Sequence, residues 1–250
     1  PHLPTLTQEA RTELKVQVTQ ALWTLAMDNV ENCRRIAETR AMLDFAKLVE
    51  IERGEVQMNA LKAITALAEV AEQDVDFRKF AFKKTSAASK TVMKELLRLT
   101  SDVGIDTSLQ VLSIRAIGCL ANVFSMKEAK DNKIHGALVS KLCQSDKKHL
   151  PVVKEAVFAL LKFVEDDNFL RKEHSGAILD EGGCLPYLVQ FAVLDADKNI
   201  QIPAILLLTE LALHVGRMKG TAFQEAATLS VLKSVAHSSK LTDHIKGLIS

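Results

Sequence analysis

Ala21-Leu22-Trp23-Thr24-Leu25-Ala26 closes a helix-compatible stretch. The same small-residue and Leu signature returns as Ala63-Ile64-Thr65-Ala66-Leu67-Ala68, Ala116-Ile117-Gly118-Cys119-Leu120-Ala121, Ala156-Val157-Phe158-Ala159-Leu160-Leu161 and Leu207-Leu208-Thr209-Glu210-Leu211-Ala212. Between Leu25, Leu67, Leu120, Leu160 and Leu211 the intervals are 42, 53, 40 and 51 residues. Self-similarity at such a spacing marks a stack of helical units, each with an apolar face that only its neighbours bury. A stack of this kind builds an extended surface instead of a central pocket, and such surfaces bind other macromolecules.

Two intervals fall near the period of about 40 to 47 residues of armadillo and HEAT units, and the other two exceed it by about ten. The excess is assigned to two inserts, near 77–92 and near 166–180. Within the first full period a short helix over Glu31 to Ile36, a second over Met42 to Val49 and a turn at Gly54 precede the long helix that carries the signature. That order is the three-helix plan of an armadillo unit. Glu181-Gly182-Gly183-Cys184-Leu185-Pro186 has the glycines of the sharp bend between first and second helices, whereas Arg40 and Ala41 stand at the corresponding corner earlier. The expected fold is all-α, an armadillo-repeat right-handed superhelical solenoid of about five to six repeats, read as a single array. The tail from Thr221 to Ser250 has two weaker helical patterns and reads as a last, incomplete repeat.

Composition agrees. A 48% hydrophobic fraction with ten Gly and five Pro supplies core material with few helix breakers, and 5% aromatic residues leave the core to Leu, Ile, Val and Ala. Lys and Arg number 32 against 31 Asp and Glu, so the net charge is +1 and no overall field draws nucleic acid; none is expected as a partner. The richest apolar run, Ile202 to Leu213, is too short to span a bilayer and contains Pro203 and Glu210. Cys33, Cys119, Cys143 and Cys184 lie far apart without a CxxC pair, which reads as reduced, mostly buried thiols of a cytosolic or nuclear protein. The opening Pro1-His2-Leu3-Pro4 has no signal segment and reads as the start of a C-terminal piece of a longer protein.

Catalysis is not expected: the chain has no G-x-S-x-G, Walker loop, H-E-x-x-H or dinucleotide fingerprint, and no cofactor or small-molecule substrate is assigned. Its seven histidines are scattered, with only His237 and His244 close in sequence, and they make no metal-ligand set. Armadillo proteins that grip extended peptides place a Trp and, four residues on, an Asn on each long helix. Here the Asn positions hold Thr24, Ala66, Cys119, Ala159 and Glu210, and the Trp positions Gln20, Lys62, Arg115, Glu155 and Leu206. An extended backbone laid there would lose hydrogen bonds to water and recover few, so binding of import signals is not expected. Trp23, one residue off the Asn position, is assigned to core or edge packing.

The strongest local charge is Arg78, Lys79, Lys83, Lys84 and Lys90, interleaved with Phe77, Phe80 and Phe82. Such a segment would draw an acidic protein surface or anionic lipid heads, and its spacing leaves at least one Phe exposed. Lys127, Lys130, Lys133, Lys141, Lys147 and Lys148 form a second run, read mostly as solvated surface.

The residues also resemble a known family. Asn32-Cys33-Arg34-Arg35-Ile36-Ala37-Glu38-Thr39, Asp76-Phe77-Arg78-Lys79-Phe80-Ala81-Phe82-Lys83, Ile117-Gly118-Cys119-Leu120-Ala121, Asn168-Phe169-Leu170 and Leu211-Ala212-Leu213-His214 are similar to the plant armadillo-repeat-only (ARO) proteins. The resemblance implies a non-enzymatic scaffold for plant Rho-type (ROP) GTPase signalling in polarised growth, with a ROP GTPase or its regulators as partner. It further implies a cytoplasmic location, peripheral at an anionic plasma-membrane surface. The partner surface it implies is Arg34, Arg35, Arg78, Lys79 and Lys83, to which the local charge adds Lys84. The alternatives are an armadillo adaptor for another client, such as a kinase, ubiquitin ligase or motor, and a peripheral module binding anionic lipid.

Overall fold

Polar residues just ahead of the apolar stretches set where the helices begin. In the computed structural model, which describes residues 7–39, 41–144, 147–193, 198–215 and 220–225 together with Thr228, Ser230, Val231 and Lys233, no strand occurs among the described residues. The chain divides into two compact units, Pro1–Val123 and Phe124–Ser250.

The first unit opens with α1 (Gln8–Ala26), followed by the triplets α2 (Val30–Glu38), α3 (Ala41–Ile51), α4 (Glu55–Gln73) and α5 (Val75–Ala81), α6 (Ala87–Ser101), α7 (Thr107–Cys119). The Thr7 hydroxyl accepts from the Ala10 amide, Asn29 from Asn32, Asp74 from Phe77 and Asp106 from Ser108, at 3.2, 2.9, 2.8 and 2.7 Å. Each cap satisfies one of the amides that a helix start leaves open, worth about 1 kcal/mol. Gly54, with φ 66°, makes the turn into α4.

Helix α4 packs on α1, α3 and α7, while α6 packs on α3 and α7. Leu61, Ile64, Leu67, Leu96, Leu99, Ile114, Ile117 and Leu120 fill the space between them and are fully buried. The recurring signature is therefore the buried stripe of the long helix: its Leu and Ile supply area, at about 1.5–3 kcal/mol per large side chain, and its Ala let neighbouring backbones approach. The apolar stripe of α1 behaves differently. Leu14, Val18 and Leu25 are about half exposed, because α1 packs chiefly on α2 and α4.

The second unit contains α8 (Met126–Asp131), α9 (Ile134–Leu142), α10 (Leu150–Val164), then α11 (Arg171–Asp180), α12 (Cys184–Val193), α13 (Lys198–Val215), and α14 (Gly220–Glu225). Ser125 and Glu128 form a reciprocal capping box at the start of α8. Gly182 and Gly183, at φ 74° and 70°, make the bend expected between α11 and α12. Lys133, at φ 52°, holds the left-handed position between α8 and α9 with a side chain that costs more there. Helix α10 packs on α9, α11 and α13, and α13 packs on α12. Pro151 lies in the first turn of α10, and Pro203 sits inside α13, where its ring removes one helix hydrogen bond.

The stretches read as inserts are helical. Residues 77–92 hold most of α5, its linker and the start of α6; residues 166–180 hold a turn and α11. The longer intervals thus coincide with a second helix of 15 residues in α6 against 11 in α3, and a first helix of 10 in α11 against 6 in α8. The tail beyond α14 lies outside the described residues, apart from the four single residues named, and so does Arg40. Among the described residues no helix is long and apolar enough to cross a membrane.

Candidate functional site

The six basic residues singled out in the sequence fall on α2, on α5 and just beyond it, two helices that touch in the first unit. Arg34 pairs with Asp74 at 2.5 Å and lies over the Phe77 ring, 6.0 Å from its centroid. The Phe77 amide, and then Arg34, hold the Asp74 carboxyl below its ordinary range. Arg78 donates to the carbonyls of Ala71 and Glu72, both at 3.2 Å, and so closes the C-terminal end of α4. These two arginines fasten helices together. Arg35 bonds Glu31 on its own helix at 3.1 Å. Lys79, Lys83 and Lys84 are exposed, and between them Phe80 is 51% exposed, whereas Phe77 and Phe82 are buried. The outward face of α5 is thus a phenylalanine set among lysines.

A second feature of the first unit lies where α1, α4 and the turn ahead of α7 meet, in a cleft of about 910 Å³. Trp23 and Lys62 form one side, with the Lys62 ammonium 4.1 Å from the centre of the indole ring. Asn59, one turn before Lys62 on α4, also lines the cleft; it is 8% exposed, and among the described residues its amide makes no hydrogen bond. Trp23 does pack at an edge, as its position implied, but it brings an aromatic face to a surface where an unpartnered amide waits. Reading one fixed register along each long helix misses this pair, because the amide stands three residues before Lys62 instead of four after it. At the fixed register, Ala66, Cys119 and Ala159 are small and buried.

In the second unit the structure joins two histidines that are 39 residues apart. His135 Nε2 and His174 Nδ1 are 2.9 Å apart, and Phe163 meets both rings edge-on. Burial, and for His135 also the neighbouring His174, lowers both imidazoles to about 4. His135 forms part of a cleft of about 600 Å³ with Lys127, Lys130, Asp131, Glu173 and Glu181. Among the described residues no group of three or more His, Cys, Asp or Glu is placed to hold a metal ion. His2, His237 and His244 lie outside the described residues. In the second basic run Lys141 is 3% exposed, so it belongs to the interior. Cys33, Cys119 and Cys184 are buried, with the Cys33 thiol pushed up to about 11 by burial and then by Glu69, and Cys184 to about 12 by burial; Cys143 is exposed.

No protein-family model matches the chain, and no curated protein does. Solved structures do match. A designed armadillo repeat protein superposes with a TM-score of 0.73 at 18% identity, over 98% of this chain and 93% of that one. The fold is an armadillo-repeat solenoid. Another designed armadillo repeat protein, in complex with the peptide (KR)4, has a TM-score of 0.74 at 19% identity over 97% of this chain and 92% of its own. Computationally designed armadillo repeat proteins for modular peptide recognition give 0.72 at 19% identity over 97% and 92%. At such identities the shared property is the armadillo fold.

Proposed function

We propose that this chain is a non-enzymatic armadillo scaffold that binds protein partners. The observation that carries the reading is the cleft on the long helices of the first unit, where the indole of Trp23 and the unpartnered amide of Asn59 face the same space. The Trp23–Lys62 pair and the spare amide give an incoming polypeptide one contact for a side chain and one for its backbone. The designed armadillo protein in complex with (KR)4 is a peptide binder of the same fold.

For the client, the resemblance to the armadillo-repeat-only proteins supports a ROP-type GTPase or one of its regulators, engaged at the cytoplasmic face of the plasma membrane. The α5 face supports the same reading, since Lys79, Phe80 and Lys83 offer charge and apolar contact to an acidic surface. The same face favours a second reading, an anionic lipid surface with Phe80 inserted among the headgroups.

Calorimetric titration of the chain with a ROP GTPase loaded with GDP or a GTP analogue tests the client, run beside a Lys79→Ala, Phe80→Ala, Lys83→Ala variant. Arg34 and Arg78 are left intact because they hold helices together. Saturable binding lost in the variant supports the GTPase assignment. No heat with either nucleotide removes it, and sedimentation with phosphatidylserine vesicles then decides the lipid reading.

A further inference from the structure

We infer that Ser86 is a phosphorylation site for a basophilic serine kinase, and that its phosphate switches off the lysine face of α5. The switch deepens the scaffold reading and rests on it, whereas the modification itself does not. Ser86 closes the sequence Lys83-Lys84-Thr85-Ser86 in the link between α5 and α6. Cations three and two residues ahead of a hydroxyl are the charge pattern that the acidic substrate groove of a basophilic kinase selects. The link presents that pattern in accessible form. Lys83, Lys84 and Thr85 are exposed, and Ser86 is half-buried with φ −71° and ψ 131°, the extended backbone that such a groove takes. Its hydroxyl accepts from the Ser89 amide at 3.5 Å, a long bond that holds the first turn of α6 weakly. Ser89 itself is 3% exposed, which removes it as the acceptor of the phosphate.

In the transfer the Ser86 oxygen bonds to the γ-phosphorus of ATP, the bond from that phosphorus to the bridging oxygen of the β-phosphate breaks, and ADP leaves. The hydroxyl proton passes to the catalytic carboxylate of the kinase. The product has about two negative charges at pH 7, set where the chain lacks them. The first turn of α6 has no acidic residue. Between residues 75 and 94 Asp76 is the only carboxylate, against Arg78 and five lysines. Lys90, four residues after Ser86 and one turn into α6, is exposed and has no ion pair among the described residues. Lys83 is tied to Ser86 by a turn in which the Ser86 amide donates to the Lys83 carbonyl at 2.9 Å. Lys83 also belongs to the α5 face beside Lys79 and Phe80, so one side chain serves both. A phosphate on Ser86 draws Lys83 and Lys90 onto itself and cancels about half the charge of Lys79, Lys83, Lys84 and Lys90. An acidic surface then finds little left to attract it.

The test incubates the folded chain with ATP and the catalytic subunit of a cyclic-AMP-dependent protein kinase, which is basophilic, and locates the phosphate by tandem mass spectrometry. The expected result is one phosphate on Ser86, absent from Ser86→Asp and lost from a Lys83→Gln, Lys84→Gln variant. Ser86→Asp keeps a cap for α6, and circular dichroism checks each variant for intact helix. An unmodified chain, or a phosphate on Thr85 in place of Ser86, overturns the site. The switch is read on immobilised heparin, an anionic surface independent of any client. The phosphorylated chain and Ser86→Asp are expected to elute at lower salt than the parent, and Ser140→Asp, an equal charge at an exposed position of the second unit, closer to it. Equal shifts for the two Asp variants, or a parent that heparin does not retain, overturn the switch. A silent GTPase titration removes that client and leaves both of these results standing.

Discussion

His135 Nε2 lies 2.9 Å from His174 Nδ1, with both rings buried where α9, α10 and α11 pack. Only one proton fits between these nitrogens. Among the described residues His174 Nε2 is buried without a partner, so we assign the shared proton to His174 Nδ1; the opposite tautomer would strand an N–H at Nε2. Both groups titrate at about 4 in the folded chain against an ordinary 6.5. The unfolded chain therefore takes up protons first as pH falls. The stability these imidazoles contribute is fully present above pH 6.5, declines below it, and is gone once the pH has passed below about 4. Urea unfolding at pH 6.5 and at pH 5 is expected to differ by on the order of 2 kcal/mol per imidazole. A His135→Gln, His174→Gln variant flattens that slope, and an unchanged slope would place the pH dependence elsewhere.

Leu120 closes the third copy of the signature and is fully buried. Replacing it with Ala removes buried methyl groups from a core with little freedom to collapse, at an expected cost of about 2–5 kcal/mol. Leu25 closes the first copy and is 54% exposed, so Leu25→Ala is expected to cost under about 1 kcal/mol. Chemical denaturation of the two variants separates a buried copy of the signature from an uncovered one, and equal costs would mean that α1 is covered in solution.

The repeat was legible because it is written in local spacing: the Leu and Ala of each long helix recur at helical intervals. Lys133 was not legible, since nothing about a lysine signals the left-handed backbone that Gly183 advertises in the next triplet. The candidate sites were hidden for another reason. Trp23 meets Lys62, and His135 meets His174, across 39 residues in each case, and both meetings exist only after adjacent repeats have stacked. The basic segment was visible as charge, but its division into arginines that hold helices and lysines that face solvent depends on where the α4 carbonyls end up.

That division is measurable. Arg78→Ala leaves the carbonyls of Ala71 and Glu72 without their donor at the end of α4, and is expected to destabilise by about 1–2 kcal/mol. Lys79→Ala and Lys83→Ala, both at exposed positions, are expected to stay within about 0.5 kcal/mol of the parent. Thermal unfolding of the three single variants gives the order directly. A Lys79 variant as unstable as the Arg78 one would assign the whole segment to structure and remove α5 as a contact face.

Glycines in the second unit give opposite signs for one substitution. Gly183 has φ 70° at the bend into α12, a conformation that an L side chain resists, so Gly183→Ala is expected to cost about 1–2 kcal/mol although only Tyr187 lies within reach of the added methyl, at 3.9 Å. Gly176 lies inside α11 with nothing within 4 Å of an added Cβ. Gly176→Ala restricts the unfolded chain and removes a weak helix former, so it is expected to stabilise by about 0.5–1 kcal/mol. Position 176 also lines the smaller cleft beside His135, and its added methyl narrows that space without touching the histidine pair. Denaturation midpoints moving in opposite directions would fix both the bend and the helix; a loss at both positions would mean that the α11 face is covered by something the methyl displaces.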